Sequence, residues 1–138
     1  MPSEIHQWLV VWLCRRMERD GYAIVGADAY NSASLLPRLV SHSLVLGHFR
    51  PDAIALHRDS SRMAIGEAKT AHDILNTHTW KQLGAMSCLN DQRGRRATVY
   101  FAFPRSCLEA AAKMVLRLGI RPALRIKLIS IPDTLLTG

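Results

Sequence analysis

The sequence predicts one α/β domain over residues 1–138, a central sheet flanked by helices. Segments with apolar residues at helical spacing alternate along the chain with short apolar runs bounded by turn residues, the patterns of amphipathic helices and of strands. Size and composition agree: 138 residues suffice for one buried core, and 49% hydrophobic against 21% charged content marks a globular chain. The resulting order is helix, strand, a hairpin of two strands, helix, strand, helix, strand. No internal repeat, linker, low-complexity segment or phosphate-cradling glycine loop interrupts it.

Ser3 is placed to cap a first helix from residue 4 to about 20, which Gly21 ends. Ile5, Trp8, Leu9, Trp12, Leu13 and Met17 share one face of it, widened by Val10 and Val11, so the helix and its tryptophans belong to the core. Residues 22–25 read as a strand, 27–34 as a loop with Ser34 available as a cap, and 44–46 as a short strand beyond Pro37, which interrupts anything longer. The run FRPDAIALHRDSSRMAIGEAKT follows: strands at 52–57 and 62–69 joined by the turn Arg58-Asp59-Ser60-Ser61. After Thr70-Ala71-His72-Asp73 a helix runs from about 76 to 90, with Trp80, Leu83, Met86 and Ser87 or Asn90 inward and Gly84 permitting a close crossing. Residues 92–96 (QRGRR) form a basic turn, and 97–103 a strongly apolar strand closed by Pro104. Ser106 and Glu109 fit a capping box that opens a helix with the face Leu108, Ala111, Ala112, Val115 and Leu118, terminated by Gly119. The last strand, 124–131, is basic on one side (Arg125, Lys127); Pro132 stops it and leaves a frayed tail.

The hairpin organises the rest. If it closes symmetrically about Asp59-Ser60, residues whose numbers sum to 119 face each other, and Asp52 lies opposite Glu67. Side chains alternate along a strand, so Lys69 joins the two carboxylates while Ala68 points away. Opposed Cβ atoms lie roughly 4.5–5.5 Å apart, close enough for two carboxylates to grip one divalent cation. The rest of that face is bulky (Ile54, Leu56, Met63, Ile65), and the other is small (Ala53, Ala55, Ala64, Gly66, Ala68), which lets a helix approach closely. Both faces are therefore expected to be buried.

Pro51-Asp52, a gap of fourteen residues, and then Glu67-Ala68-Lys69 resembles the signature of the PD-(D/E)xK nuclease superfamily. The resemblance implies a restriction-endonuclease-like αβββαβ core with a mixed sheet, which with the final helix and strand covers most of the chain. It implies a metal-dependent nuclease, a DNA endonuclease, in which Asp52, Glu67 and the backbone carbonyl of Ala68 hold Mg²⁺ or Mn²⁺ and Lys69 assists the attacking water. Gln82 sits where one branch of the superfamily places a glutamine on the helix after the motif lysine, beside Lys81. The aromatic residue that some of those sequences carry four positions on is Met86 here. Some members add a metal-assisting carboxylate from the first helix, for which Glu4 and Glu18 are the candidates. Arg50, with Arg38, His42 and His48, belongs to the segment that shapes the substrate groove or a dimer contact in related folds. His72 and Asp73 are polar neighbours of the site.

Charge fits this picture. The chain carries +7; residues 1–90 hold nine Lys/Arg and eight Asp/Glu, and residues 91–138 nine against three. A basic C-terminal third suits a polyanion, and Arg93, Arg95 and Arg96 are placed to contact a phosphate backbone, contacts that position rather than specify. Lys81 and Arg50 are further candidates. One such site cuts one strand, so double-strand cleavage needs a homodimer, which is expected for so short a chain, or sequential nicks, and the absence of a separate specificity module leaves selectivity to nucleic-acid structure or ends, or to a protein partner. Cys14, Cys88 and Cys107 lack zinc or disulfide spacing and read as buried, reduced thiols. With no targeting segment evident, a cytoplasmic protein is expected. The alternative is a non-catalytic nucleic-acid-binding or protein-interaction module that retains the fold.

Overall fold

The structure is a computed structural model, which describes residues 3–27, 51–91 and 93–136. The expected Ser34 cap, the strand at 44–46, and Arg38, His42, His48 and Arg50 lie outside the described residues. Within them the chain forms α1 (Glu4–Arg19), β1 (Tyr22–Ala27), β2 (Ala53–His57), β3 (Met63–Ala68), α2 (Thr77–Met86), β4 (Thr98–Pro104), α3 (Leu108–Leu116), α4 (Ile120–Ala123) and β5 (Ile126–Ile131). Single 3-10 turns occupy Arg105–Cys107 and Asp133–Leu135. The strands lie side by side in chain order, β1-β2-β3 antiparallel and β3-β4-β5 parallel, so the sheet is mixed. Parallel neighbours need crossovers, supplied by α2 and by α3 with α4.

Helices cover both faces. Leu9, Val10, Leu13, Cys14 and Met17 of α1 pack on Ala53, Ala55, Ala64, Ala68 and Tyr100. Ile65, Val99, Phe101 and Phe103 face Leu83 and Met86 of α2 and Ala111, Met114 and Val115 of α3. The small face of the hairpin sets how near α1 can come: a Cβ on Gly66 would lie 2.7 Å from Leu13 Cδ2. The hairpin has the expected register, Ala53 opposite Gly66 through Leu56 opposite Met63, and the His57 N–H donates to the Arg62 carbonyl (2.8 Å) to close the turn. Gly21 ends α1 at φ +100°, a conformation other residues reach only with strain.

Several elements depart from expectation, each because tertiary contacts outweigh local pattern. The buried stripe of α1 is rotated toward Val10, Val11 and Cys14; Ile5 is exposed and Trp8 and Trp12 sit half-buried at the rim. On α2, Trp80 points out and Thr79 and Gln82 point in. Ser106 does not cap α3, because its hydroxyl donates to Asp133 Oδ2 (2.8 Å) and its N–H to Oδ1 (3.1 Å). The residues after Gly119 form the short α4, so β5 begins at Ile126. The tail through residue 136 is packed, with Leu136 in the α1 core and the Leu135 carbonyl accepting from Trp12 Nε1 (3.4 Å). Cys14 and Cys107 are buried, Cys88 is exposed, and all three are free thiols. Among the described residues no helix is long and apolar enough to cross a membrane.

Candidate active site

β2 and β3 lie inside the sheet, so what their ends present is fixed by two neighbours each. Asp52 precedes β2 and Glu67 is the penultimate residue of β3; continuing the register puts them opposite each other. Both are buried, at 7% and 3% exposure. The Ala68 N–H donates to Asp52 Oδ2 (2.8 Å), tying the residue before one strand to the end of the next. Asp52 and Glu67 are within hydrogen-bonding reach of each other. Lys69 Nζ lies 3.6 Å from Glu67 Oε1, as alternation along β3 requires. From α2, Gln82 Nε2 donates to Glu67 Oε2 (3.0 Å); its Oε1 is buried with no hydrogen-bond partner among the described residues.

A fifth side chain enters from α1. His6 Nε2 lies 3.3 Å from Asp52 Oδ2, and since an ionised carboxylate only accepts, the imidazole is the donor. The glutamates expected from this helix, Glu4 and Glu18, are both exposed; His6 is the α1 residue at the site. It occupies the N-terminal end of the buried stripe, three residues before Leu9, where a polar side chain on a core-facing position is the signal that reveals it.

The two acids are shifted in opposite directions. Burial works against ionisation of Asp52, yet the hydrogen bonds from His6 and Glu67, the His6 charge and the Ala68 amide outweigh it and keep this carboxyl below the usual carboxylate range. Burial, and then the charge of Asp52, push Glu67 well above that range, and Lys69 does not offset them. Of the two, Asp52 is therefore the more readily ionised and Glu67 the more readily protonated, the pattern of two carboxyls whose charges repel at close range.

A divalent cation, if bound here, would be held by the two carboxylates and would offset the repulsion that opposes their joint ionisation. Magnesium is bound through one or two carboxylates with waters and substrate phosphate completing its shell, in contrast to the closed cage of a structural zinc. Among the described residues no group of three or more His, Cys, Asp or Glu side chains converges on one point to hold a metal; His6, Asp52 and Glu67 form a chain.

The basic residues lie elsewhere. Arg93 and Arg96 are exposed, and Arg95 Nε donates to Asp91 Oδ2 (2.7 Å). The Arg96 guanidinium donates to the Cys88 carbonyl. Thr98 pairs with Ala64 and Phe101, midway along β4, with Glu67, so this turn before β4 lies roughly 17 Å along the strand from the level of the carboxylates at 3.3 Å per residue. Lys81 is exposed on α2. His72 is exposed, and Asp73 is half-buried, accepting from Thr70 Oγ1 (3.4 Å). Comparison with protein-family models, with curated proteins and with solved structures finds no match to this chain.

Proposed function

We propose that this protein is a metal-dependent nuclease of the PD-(D/E)xK type, with a restriction-endonuclease-like core, acting on DNA. The observation that carries the reading is the buried Asp52–Glu67 pair in hairpin register with Lys69 on the same face. The order α1-β1-β2-β3-α2-β4 supports it, being the αβββαβ order that the motif resemblance implies. A pair of opposed acids buried beside an amine is an expensive arrangement to keep in a core unless the charge is used.

In this reading Asp52 and Glu67, with the Ala68 carbonyl, hold Mg²⁺ or Mn²⁺. When bound, such an ion neutralises charge at a phosphodiester and activates water. The chain's own residues do the rest. His6 and the Ala68 amide fix the rotamer of Asp52. Gln82 holds Glu67 from the helix side and so aligns the second carboxylate. Lys69 orients the attacking water and stabilises the negative charge that develops on the phosphoryl oxygens. Arg93, Arg96 and Lys81 supply phosphate contacts away from the cut bond, and a homodimer or a protein partner pairs two single-strand cuts.

The test is cleavage of labelled linear, circular, branched and single-stranded DNA, and of RNA, in Mg²⁺, Mn²⁺ or EDTA. Metal-dependent cutting is expected, reduced at least about a hundredfold in Asp52→Ala, Glu67→Ala and Lys69→Ala. Cutting that persists in all three would remove the assignment, and DNA binding with no cutting in any metal would favour a non-catalytic module.

A further inference from the structure

A groove of about 740 Å³ runs between the first turn of α2 and the length of α3. From Ser106 to Arg117 it spans eleven residues, about 16 Å at the helical rise. Leu75, Trp80 and Met114 give it an apolar wall, with Leu75 75% exposed and Trp80 38% exposed, unusual freedom for such side chains. Lys113 and Arg117, one helical turn apart on α3, line it with positive charge. Glu109 pairs with Lys113 (3.0 Å), but both side chains are largely exposed, so the pair is weak and yields readily to a phosphate. At Ser106 the groove meets a second cleft of about 760 Å³, bordered by His6 and by Thr70–Asp73. His6 touches Asp52 and Thr70 follows Lys69, so this second cleft lies beside the carboxylate pair, and Ser106 lines both it and the groove.

We propose that the groove holds an unpaired nucleic-acid strand leaving the Asp52–Glu67 site, with a base stacked on Trp80 and its phosphates on Lys113 and Arg117. An exposed aromatic ring beside two cations is the pairing that single strands use, because every base has a π-face and every nucleotide a phosphate. The proposal rests on the nuclease reading for the origin of the strand, and it deepens that reading by naming the substrate as one with a single-stranded stretch next to the cut.

The test is Trp80 fluorescence in a Trp8→Phe, Trp12→Phe protein, titrated in EDTA with a twelve-nucleotide oligo(dT) and with a hairpin duplex. The single strand is expected to quench Trp80 emission and the duplex to leave it unchanged. Lys113→Ala with Arg117→Ala should weaken oligo(dT) binding about tenfold, and Trp80→Ala, read by the anisotropy of a fluorescein-labelled oligo(dT), by a similar factor. If the double Phe protein does not fold, the difference in quenching between the wild type and Trp80→Phe gives the same reading. No quenching, or equal quenching by both probes, overturns the proposal. The two readings fail separately: Asp52-dependent cutting without quenching removes the groove alone, and quenching without cutting in any metal leaves the groove standing and removes the nuclease.

Discussion

Glu67 is the residue at which stability and chemistry pull apart. Its carboxyl is pushed up by burial and by Asp52, so the folded state prefers the protonated form that the unfolded chain, titrating near 4.5, gives up earlier. The stability that this proton brings is complete below the unfolded value and is lost as pH rises through the folded one. Glu67→Gln keeps the neutral shape at every pH. In EDTA it is expected to melt higher than the wild type at pH 8, by about 3–6 °C for each kcal/mol of relieved charge, with the gap narrowing towards pH 4.5. Mg²⁺ or Mn²⁺ should raise the wild-type midpoint and leave the variant's unmoved. A wild type that melts higher than Glu67→Gln at pH 8 in EDTA would show that Glu67 is not strained by its neighbour. Asp52, Glu67 and Lys69 were legible because strand alternation fixes where they point, and Gln82 only through the motif resemblance. His6 was not, since one histidine on a helix has no spacing partner, and the search for a carboxylate on α1 led to Glu4 and Glu18, which face solvent.

At the scale of elements, the site depends on how closely α1 lies on the hairpin, because His6 reaches Asp52 only from that height. Gly66 sets the height. A methyl there would sit 2.7 Å from Leu13 Cδ2 and 3.1 Å from Cγ, with Ala53 Cβ at 3.2 Å, so either the Leu13 side chain or the whole helix must move. Gly66→Ala is expected to lower stability by about 1–3 kcal/mol in urea melts. Leu13→Ala should remove most of that penalty while costing about 2–5 kcal/mol by itself, so the double variant will be more stable than the sum of the two predicts. Strict additivity would mean that the contact does not set the spacing. The close approach was legible in the run of small residues on β2 and β3. The start of α3 was not: Ser106 and Glu109 have the capping-box spacing, but Asp133, far along the chain, takes the serine hydroxyl, and no local window contains that competitor.

Across the whole molecule, the sheet order and both covered faces follow from the alternation of small and bulky residues in the hairpin, and the helical crossovers follow from the parallel strands they join. The charge distribution was legible only as an excess; the fold decides where it acts. The basic turn at Arg93 and Arg96 precedes β4 and stands away from the carboxylates, whereas Lys113 and Arg117 line the groove between α2 and α3. Salt dependence separates the two. Each phosphate contact contributes about 0.9 to the slope of log affinity against log salt for duplex DNA and about 0.7 for single strands. Measured in EDTA, Lys113→Ala with Arg117→Ala is expected to lower the single-strand slope by about 1.4 and to leave the duplex slope in place. Arg93→Ala with Arg96→Ala should lower the duplex slope by about 1.8, the effect of two exposed cations that position a double helix. If both double variants change both slopes equally, the positive charge acts as one diffuse field, and the division of the molecule into a duplex-facing turn and a strand-holding groove is wrong.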